Sequence, residues 1–210
     1  TRATPVVVVH GLWMNGLESF VLRKHLGEAG FEPSVFRYPS TQADIGEAAL
    51  LLASHMRGFG TGPAHLVGHS LGGLVILEAF ETAIDLPPGR IVLLGSPVQG
   101  SRAARAVAAW SLGPQLLGSL AAAELTRREP RIWRGQRELG VIAGSRSAGM
   151  GRLFAELPVP NDGTVSVDET RLAGAKAHIV HDVSHTGMLM SAAVSDSLIQ
   201  FLITGSFGRP

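Results

Sequence analysis

The sequence predicts an α/β protein: a mostly parallel sheet of about six strands with helices on both faces. Three observations carry that reading. Short β-branched apolar runs, led by Pro5 to His10 (PVVVVH), lack the polar alternation of a strand with one wet face, so they read as strands buried on both sides. Segments with helical spacing separate those runs in a βαβα rhythm. The 210 residues are 45% apolar and only 17% charged, which suits one domain with a sizeable core.

Taken in order, Pro5 to His10 forms the first strand and stops at Gly11. Asn15 with Glu18 three residues on reads as a capping box, and Leu17, Phe20, Val21 and Leu26 give a helical stripe ending near Gly30. Pro33 to Tyr38 reads as the second strand, Asp44 to Arg57 as a helix, Ala64 to Val67 as the third strand and Leu71 to Thr82 as its helix. Arg90 to Leu94 is the fourth strand, and Glu138 to Ala143 and His178 to Val183 supply two more. Gly187 to Ile203 is the closing helix, ended by Gly205. Between Pro97 and Arg137 the rhythm breaks into Ala-rich helical sequence punctuated by Trp, including Ala103 to Trp110 and Leu116 to Leu125. This excursion leaves a carboxyl-end edge of the sheet, where open α/β sheets bind ligands. It reads either as a cap over a pocket or as a pair of packing helices broken at Gly113-Pro114.

A formal charge of +1 gives no broad basic field for nucleic acid or an anionic membrane, so small neutral molecules are the expected partners. The absence of cysteine excludes disulfides, thiolate metal sites and a thiol nucleophile, and leaves the compartment open, cytoplasmic or secreted after loss of a leader. No run of apolar residues is long enough for a membrane span, and Thr1 to Pro5 does not read as a signal peptide.

Gly68-His69-Ser70-Leu71-Gly72 falls between the third strand and its helix, the context in which G-x-S-x-G becomes a sharp, strained turn presenting a serine hydroxyl. Ser70 is therefore the expected nucleophile. A serine needs a base, and the base needs an acid to fix its tautomer. Among eight histidines, His185 alone lies in a short loop after the last strand and before the closing helix, at the edge where Ser70 projects. His181 reads as a mid-strand residue, and His25 and His55 as solvated helix positions. A metal site built from His178, His181 and His185 is disfavoured, because a spacing of three on a strand sends the first two to opposite faces. Asp162, in the loop Pro160-Asn161-Asp162-Gly163-Thr164, is the expected acid ahead of Asp168, Asp182 and Asp196. The backbone N–H groups of Leu12, after Gly11, and of Leu71 are the expected donors to an oxyanion. Trp13 and Met14 beside that turn, with Met188 and Leu189 after His185, are expected pocket walls.

These motifs are similar to those of the small bacterial lipases and esterases of the α/β-hydrolase fold, especially the compact class 2 (lidless-type) lipases. The resemblance rests on Val-Val-Val-His-Gly at residues 7 to 11 and on Gly68-His69-Ser70-Leu71-Gly72-Gly73. It extends through Asn161-Asp162-Gly163-Thr164-Val165 and Arg171-Leu172-Ala173-Gly174-Ala175 to Val183-Ser184-His185-Thr186-Gly187. It implies the same triad and the same two oxyanion donors, no cofactor, no metal, and an ester or lipid substrate. The sheet departs from larger members by starting directly at the His-Gly strand, and residues 97 to 137 exceed what the smallest lidless lipases carry there. Acyl transfer, thioester hydrolysis or perhydrolysis through the same triad, and a non-catalytic binding role on the same scaffold, are the alternatives.

Overall fold

The computed structural model describes residues 3–42, 44–83, 85–126, 129, 131–148 and 157–208. Six strands, β1 (Thr4–Val9), β2 (Phe31–Phe36), β3 (His65–His69), β4 (Ile91–Leu94), β5 (Leu139–Gly144) and β6 (Ala177–His181), form one sheet in the order β2-β1-β3-β4-β5-β6. All neighbouring pairs are parallel. Among the described residues six helices connect or follow them: α1 (Phe20–Glu28), α2 (Ile45–Arg57), α3 (Leu71–Thr82), α4 (Arg102–Ala108), α5 (Gly113–Leu125) and α6 (Ala192–Thr204).

The valine run of β1 explains why the sheet must be covered twice. Successive side chains point to opposite faces. Val7 and Val9 accordingly join the core beneath α2 and α3, with Leu52, Met56, Leu74 and Ile76. Val6 and Val8 join the core beneath α1 and α6, with Leu22, Leu26, Leu198 and Phe201. The same division repeats in β4, where Ile91 and Leu93 face one layer and Val92 and Leu94 the other. Each of these fully buried aliphatic side chains contributes about 1.5–3 kcal/mol of transfer free energy. A strand order that runs from β1 to β2 on one side and from β1 to β3 on the other opens a crevice at the carboxyl ends of β1 and β3.

Local signals set the helix ends. Asp44 caps α2 by accepting from the Glu47 amide at 2.8 Å, Ser101 caps α4 through the Ala104 amide at 3.1 Å, and Gly205 ends α6 at φ 75°. Asn15 and Glu18 do not form the expected capping box. The Asn15 carboxamide accepts from the Leu17 amide and the Glu18 carboxylate accepts from the Gly16 amide, so the segment makes a 3-10 turn at Leu17–Ser19 before α1. The expected closing helix is also split. Gly187–Leu189 is a separate 3-10 turn, and α6 begins at Ala192 after the Ser191 cap.

The excursion after β4 is α4 and α5, the second kinked at Gly118 (φ 77°, ψ 163°), and Gly113-Pro114 opens α5 rather than breaking a helix, since proline is tolerated in a first turn. Arg131, 3% exposed, clamps this pair to α3. Its guanidinium donates to Glu78 and Glu124 at 3.0 and 2.6 Å and to Glu81 at 2.9 Å.

Candidate functional site

The β3–α3 junction turns so sharply that Ser70 takes φ 54° and ψ −123°, one of two described non-glycine residues with positive φ, the other being Trp13. Such a backbone costs about 1–3 kcal/mol and persists only where its surroundings hold it. Three contacts do so. The Ser70 amide donates to the Leu94 carbonyl at 2.9 Å. A Cβ on Gly72 would lie 2.2 Å from the Val9 carbonyl oxygen, so α3 meets β1 at a distance only glycine allows. A Cβ on Gly11 would lie 3.1 Å from Ser70 Cβ, which puts the turn after β1 directly beside the serine.

The loop after β1 is braced by Tyr38, two residues beyond the end of β2. His10 is buried and stacks on Tyr38 with ring centroids 4.6 Å apart; the Tyr38 hydroxyl donates to the His10 carbonyl at 2.9 Å. His10 Nδ1 lies 2.9 Å from the Gly11 carbonyl, which can only accept, so Nδ1 carries the proton. Burial pushes the Tyr38 phenol above its ordinary range, keeping it a donor. Tyr38 is the only tyrosine in the chain, and sequence reading assigned it no role beyond the end of a strand. Tyr38→Phe keeps the ring stack and removes one hydrogen bond. If Leu12 acts as an oxyanion donor, kcat should fall about two- to tenfold with KM little changed, a change measurable by steady-state ester hydrolysis.

Asp162 and His185 meet at the same sheet edge. His185 Nδ1 lies 2.7 Å from Asp162 Oδ2, and the His185 amide donates to the Asp162 carbonyl at 2.9 Å. The carboxylate itself is 1% exposed, and its other oxygen, Oδ1, accepts from the Thr164 and Val165 amides at 2.9 and 2.7 Å. This tight turn is why the sequence there reads Asn-Asp-Gly-Thr-Val: Asn161 accepts from the Gly163 amide, and Gly163 takes φ 92°. Because a carboxylate accepts, Nδ1 is the donor of the pair and Nε2 is left with a free lone pair. A Cβ on Gly95 would lie 3.2 Å from both Asp162 Oδ2 and His185 Nδ1, so the end of β4 packs against the pair.

Ser70 is half-buried, and its Oγ is not hydrogen-bonded to His185. The two are linked through His69, whose ring lies 4.8 Å from that of His185 and whose Nε2 lies 3.0 Å from the His185 carbonyl. Asp162 and His185 are thus brought into contact, and His69, the residue before Ser70, lies against His185.

The competing residues lie elsewhere. Asp168 and Asp182 are exposed and pair with Arg171 and Arg146, and Asp196 is exposed on α6. His181 is the last residue of β6, not a mid-strand residue, and meets Ser197 Oγ at 3.0 Å; His178 meets Thr170 Oγ1 at 2.9 Å. His55 is exposed but His25 is half-buried. Among the described residues no group of three His, Asp or Glu could hold a metal ion, and no helix is long and apolar enough to cross a membrane. Of the expected pocket walls, Trp13 is 61% exposed and Met14 half-buried, whereas Met188 and Leu189 are fully buried in the core beneath α1 and α6. Leu12 is half-buried against the opposite core layer, and Leu71 is fully buried as the first residue of α3, whose opening amides have no intrahelical acceptor.

The family model described as alpha/beta hydrolase family matches residues 6–204. Among solved structures, the chain is similar to the mature Bacillus licheniformis lipase BlEst2, with a TM-score of 0.73, 18% identity, and 98% of this chain and 93% of that one covered. It is also similar to MGS-MChE2, an alpha/beta hydrolase enzyme from the metagenome of Mar Chica lagoon sediments in Morocco, with a TM-score of 0.64, 22% identity and coverage of 96% and 89%. A third likeness is to the RedJ thioesterase of the prodiginine pathway in Streptomyces coelicolor, with a TM-score of 0.61, 12% identity and coverage of 95% and 84%. No curated protein matches the sequence.

Proposed function

We propose that this chain, which belongs to the alpha/beta hydrolase family, is a serine hydrolase of carboxylic esters that works through Ser70, His185 and Asp162. The observation that carries the proposal is the 2.7 Å contact of His185 Nδ1 with a buried Asp162 carboxylate, beside a serine held at φ 54° on a strand-to-helix turn. Attack begins when substrate seats and the Ser70 hydroxyl closes on His185 Nε2, a contact that tightens on binding. Ser70 Oγ then adds to the ester carbonyl, Nε2 takes its proton, and Asp162 stabilises the imidazolium. The tetrahedral oxyanion is received by the amides of Leu12 and Leu71. His185 returns the proton to the leaving alcohol, and water repeats the sequence on the acyl-enzyme to release the acid. Trp13 and Met14 supply apolar surface for the acyl group, and Met188 and Leu189 fill the layer beneath His185. The likenesses to a lipase and a thioesterase support acyl-group chemistry and leave the acceptor and leaving group to experiment.

A fluorophosphonate probe should add one phosphonyl group per chain, located at Ser70 by peptide mass spectrometry. Rates across p-nitrophenyl esters from acetate to palmitate, with acyl thioesters as competitors, then set acyl length and leaving group. A chain that neither labels nor hydrolyses any member of the series would be a binding protein on this scaffold.

A further inference from the structure

We infer that His69 is a positioning residue, which sets the distance between Ser70 and the imidazole of His185 by holding the His185 main chain. The inference rests on the reading of His185 as the base. His185 is tied at three points. Two of them, Nδ1 to Asp162 Oδ2 and its amide to the Asp162 carbonyl, fix it to the loop of the acid. Only the third, its carbonyl on His69 Nε2 at 3.0 Å, fixes it to the element that carries the serine. That bond joins the end of β3 to the β6–α6 loop across 116 residues of sequence.

The chemistry of the contact determines the state of the ring. A carbonyl oxygen only accepts, so His69 Nε2 carries the proton and Nδ1 is a bare acceptor. Nδ1 is buried without a partner, against the backbone of Gly11, where a Cβ would stand 3.3 Å away. Buried polar atoms without partners are rare in native proteins and need a reason. Here the reason is the other end of the ring. Residue 69 must present a donor beyond the reach of a short side chain and fill the space beside the His185 imidazole, with ring centroids 4.8 Å apart and the planes tilted by 45°. It must do so without adding a positive charge next to the imidazolium that forms during attack. Lysine or arginine would supply the donor and the charge together. Histidine held neutral by burial supplies the donor alone, and burial with His185 alongside pushes its pKa down to about 3.

The test compares His69→Leu, which has no donor, with His69→Gln, whose Nε2 can donate from nearly the same place. We expect His69→Leu to lower both kcat on a p-nitrophenyl ester and the fluorophosphonate inactivation rate by about 10- to 100-fold, with KM within about twofold, as a displaced catalytic group does. His69→Gln should recover most of that loss. Equal losses in the two variants, or full activity in His69→Leu, would overturn the inference, because packing alone would then account for His69. Should the variants fail to fold, nitrogen-15 NMR of the unmodified protein decides: the Nε2–H tautomer from pH 5 to 8 supports the bond, and the Nδ1–H tautomer refutes it. A wild-type protein that neither labels nor turns over sinks the functional reading itself, a result distinct from any of these.

Discussion

Ser70→Ala is expected to lower kcat for ester hydrolysis by a factor on the order of 10⁶ while leaving the melting temperature nearly unchanged, because alanine keeps the same strained backbone and removes only Oγ. Asp162→Asn should cost a factor on the order of 10⁴, for a reason visible in the hydrogen bonds. The Thr164 and Val165 amides both point at Oδ1 and demand an oxygen there. An asparagine must give them its carbonyl, which turns its NH2 toward His185 Nδ1. A donor facing Nδ1 drives the ring proton to Nε2, the atom that has to receive the serine proton. The fold survives and the base is lost. Both variants are read by kcat and by fluorophosphonate labelling rate, with near-ultraviolet circular dichroism as the check on packing. Retention of more than about 1% of wild-type activity by Ser70→Ala, against the expected loss, would remove Ser70 from the chemistry.

The sheet was legible because each buried strand is a short apolar run between breakers, and no competing pattern in the sequence explains such runs. Strand ends were less legible. Gly68 and His69 read as part of a turn, yet parallel pairing continues through Val9 opposite Gly68 and Leu94 opposite His69, so β3 runs to the residue before the serine. The turn near Asn15 departs from the capping-box pattern because a carboxylate three residues on can serve a nearer amide, that of Gly16, than the cap requires. Position in the chain singled out Asp162 and His185, since each sits in a loop after a strand on the same edge, and their contact follows from that placement. Tyr38 and His69 left no such signal. Each acts through one hydrogen bond to a main-chain carbonyl, 28 and 116 residues away, and no local pattern encodes a partner at that range.

Acid should weaken this fold well before its carboxylates protonate. Burial, with the positive charges of Arg90 and Arg137 nearby, lowers His65 to about 4, and burial with His185 alongside lowers His69 to about 3. In the unfolded chain both titrate near 6.5, so below that pH the unfolded state binds protons that the folded state refuses. Their stabilisation is complete above about pH 6.5 and declines as pH falls toward the folded values. At pH 5 each histidine costs about 2 kcal/mol relative to pH 7, on the order of 4 kcal/mol together, against a total stability of about 5–15 kcal/mol for a domain. Burial lowers His178 and His181 as well, which adds in the same direction. The depressed carboxylates Asp85, Asp182 and Glu138 are held down by Arg57, by Arg146, and by Lys176 with Arg90. Their contribution disappears only below about pH 4, so they leave the interval from pH 7 to 5 to the histidines. Urea denaturation at the two pH values should show the loss directly, and thermal unfolding should show a drop on the order of 10 °C. His65→Gln removes one of the two largest titrations, so the pH dependence across that interval should fall by somewhat less than half even if the variant is less stable at pH 7. A midpoint that holds constant or rises from pH 7 to 5 would mean that the two rings accept protons in the folded state, and His69 could then no longer be the uncharged donor that His185 leans on.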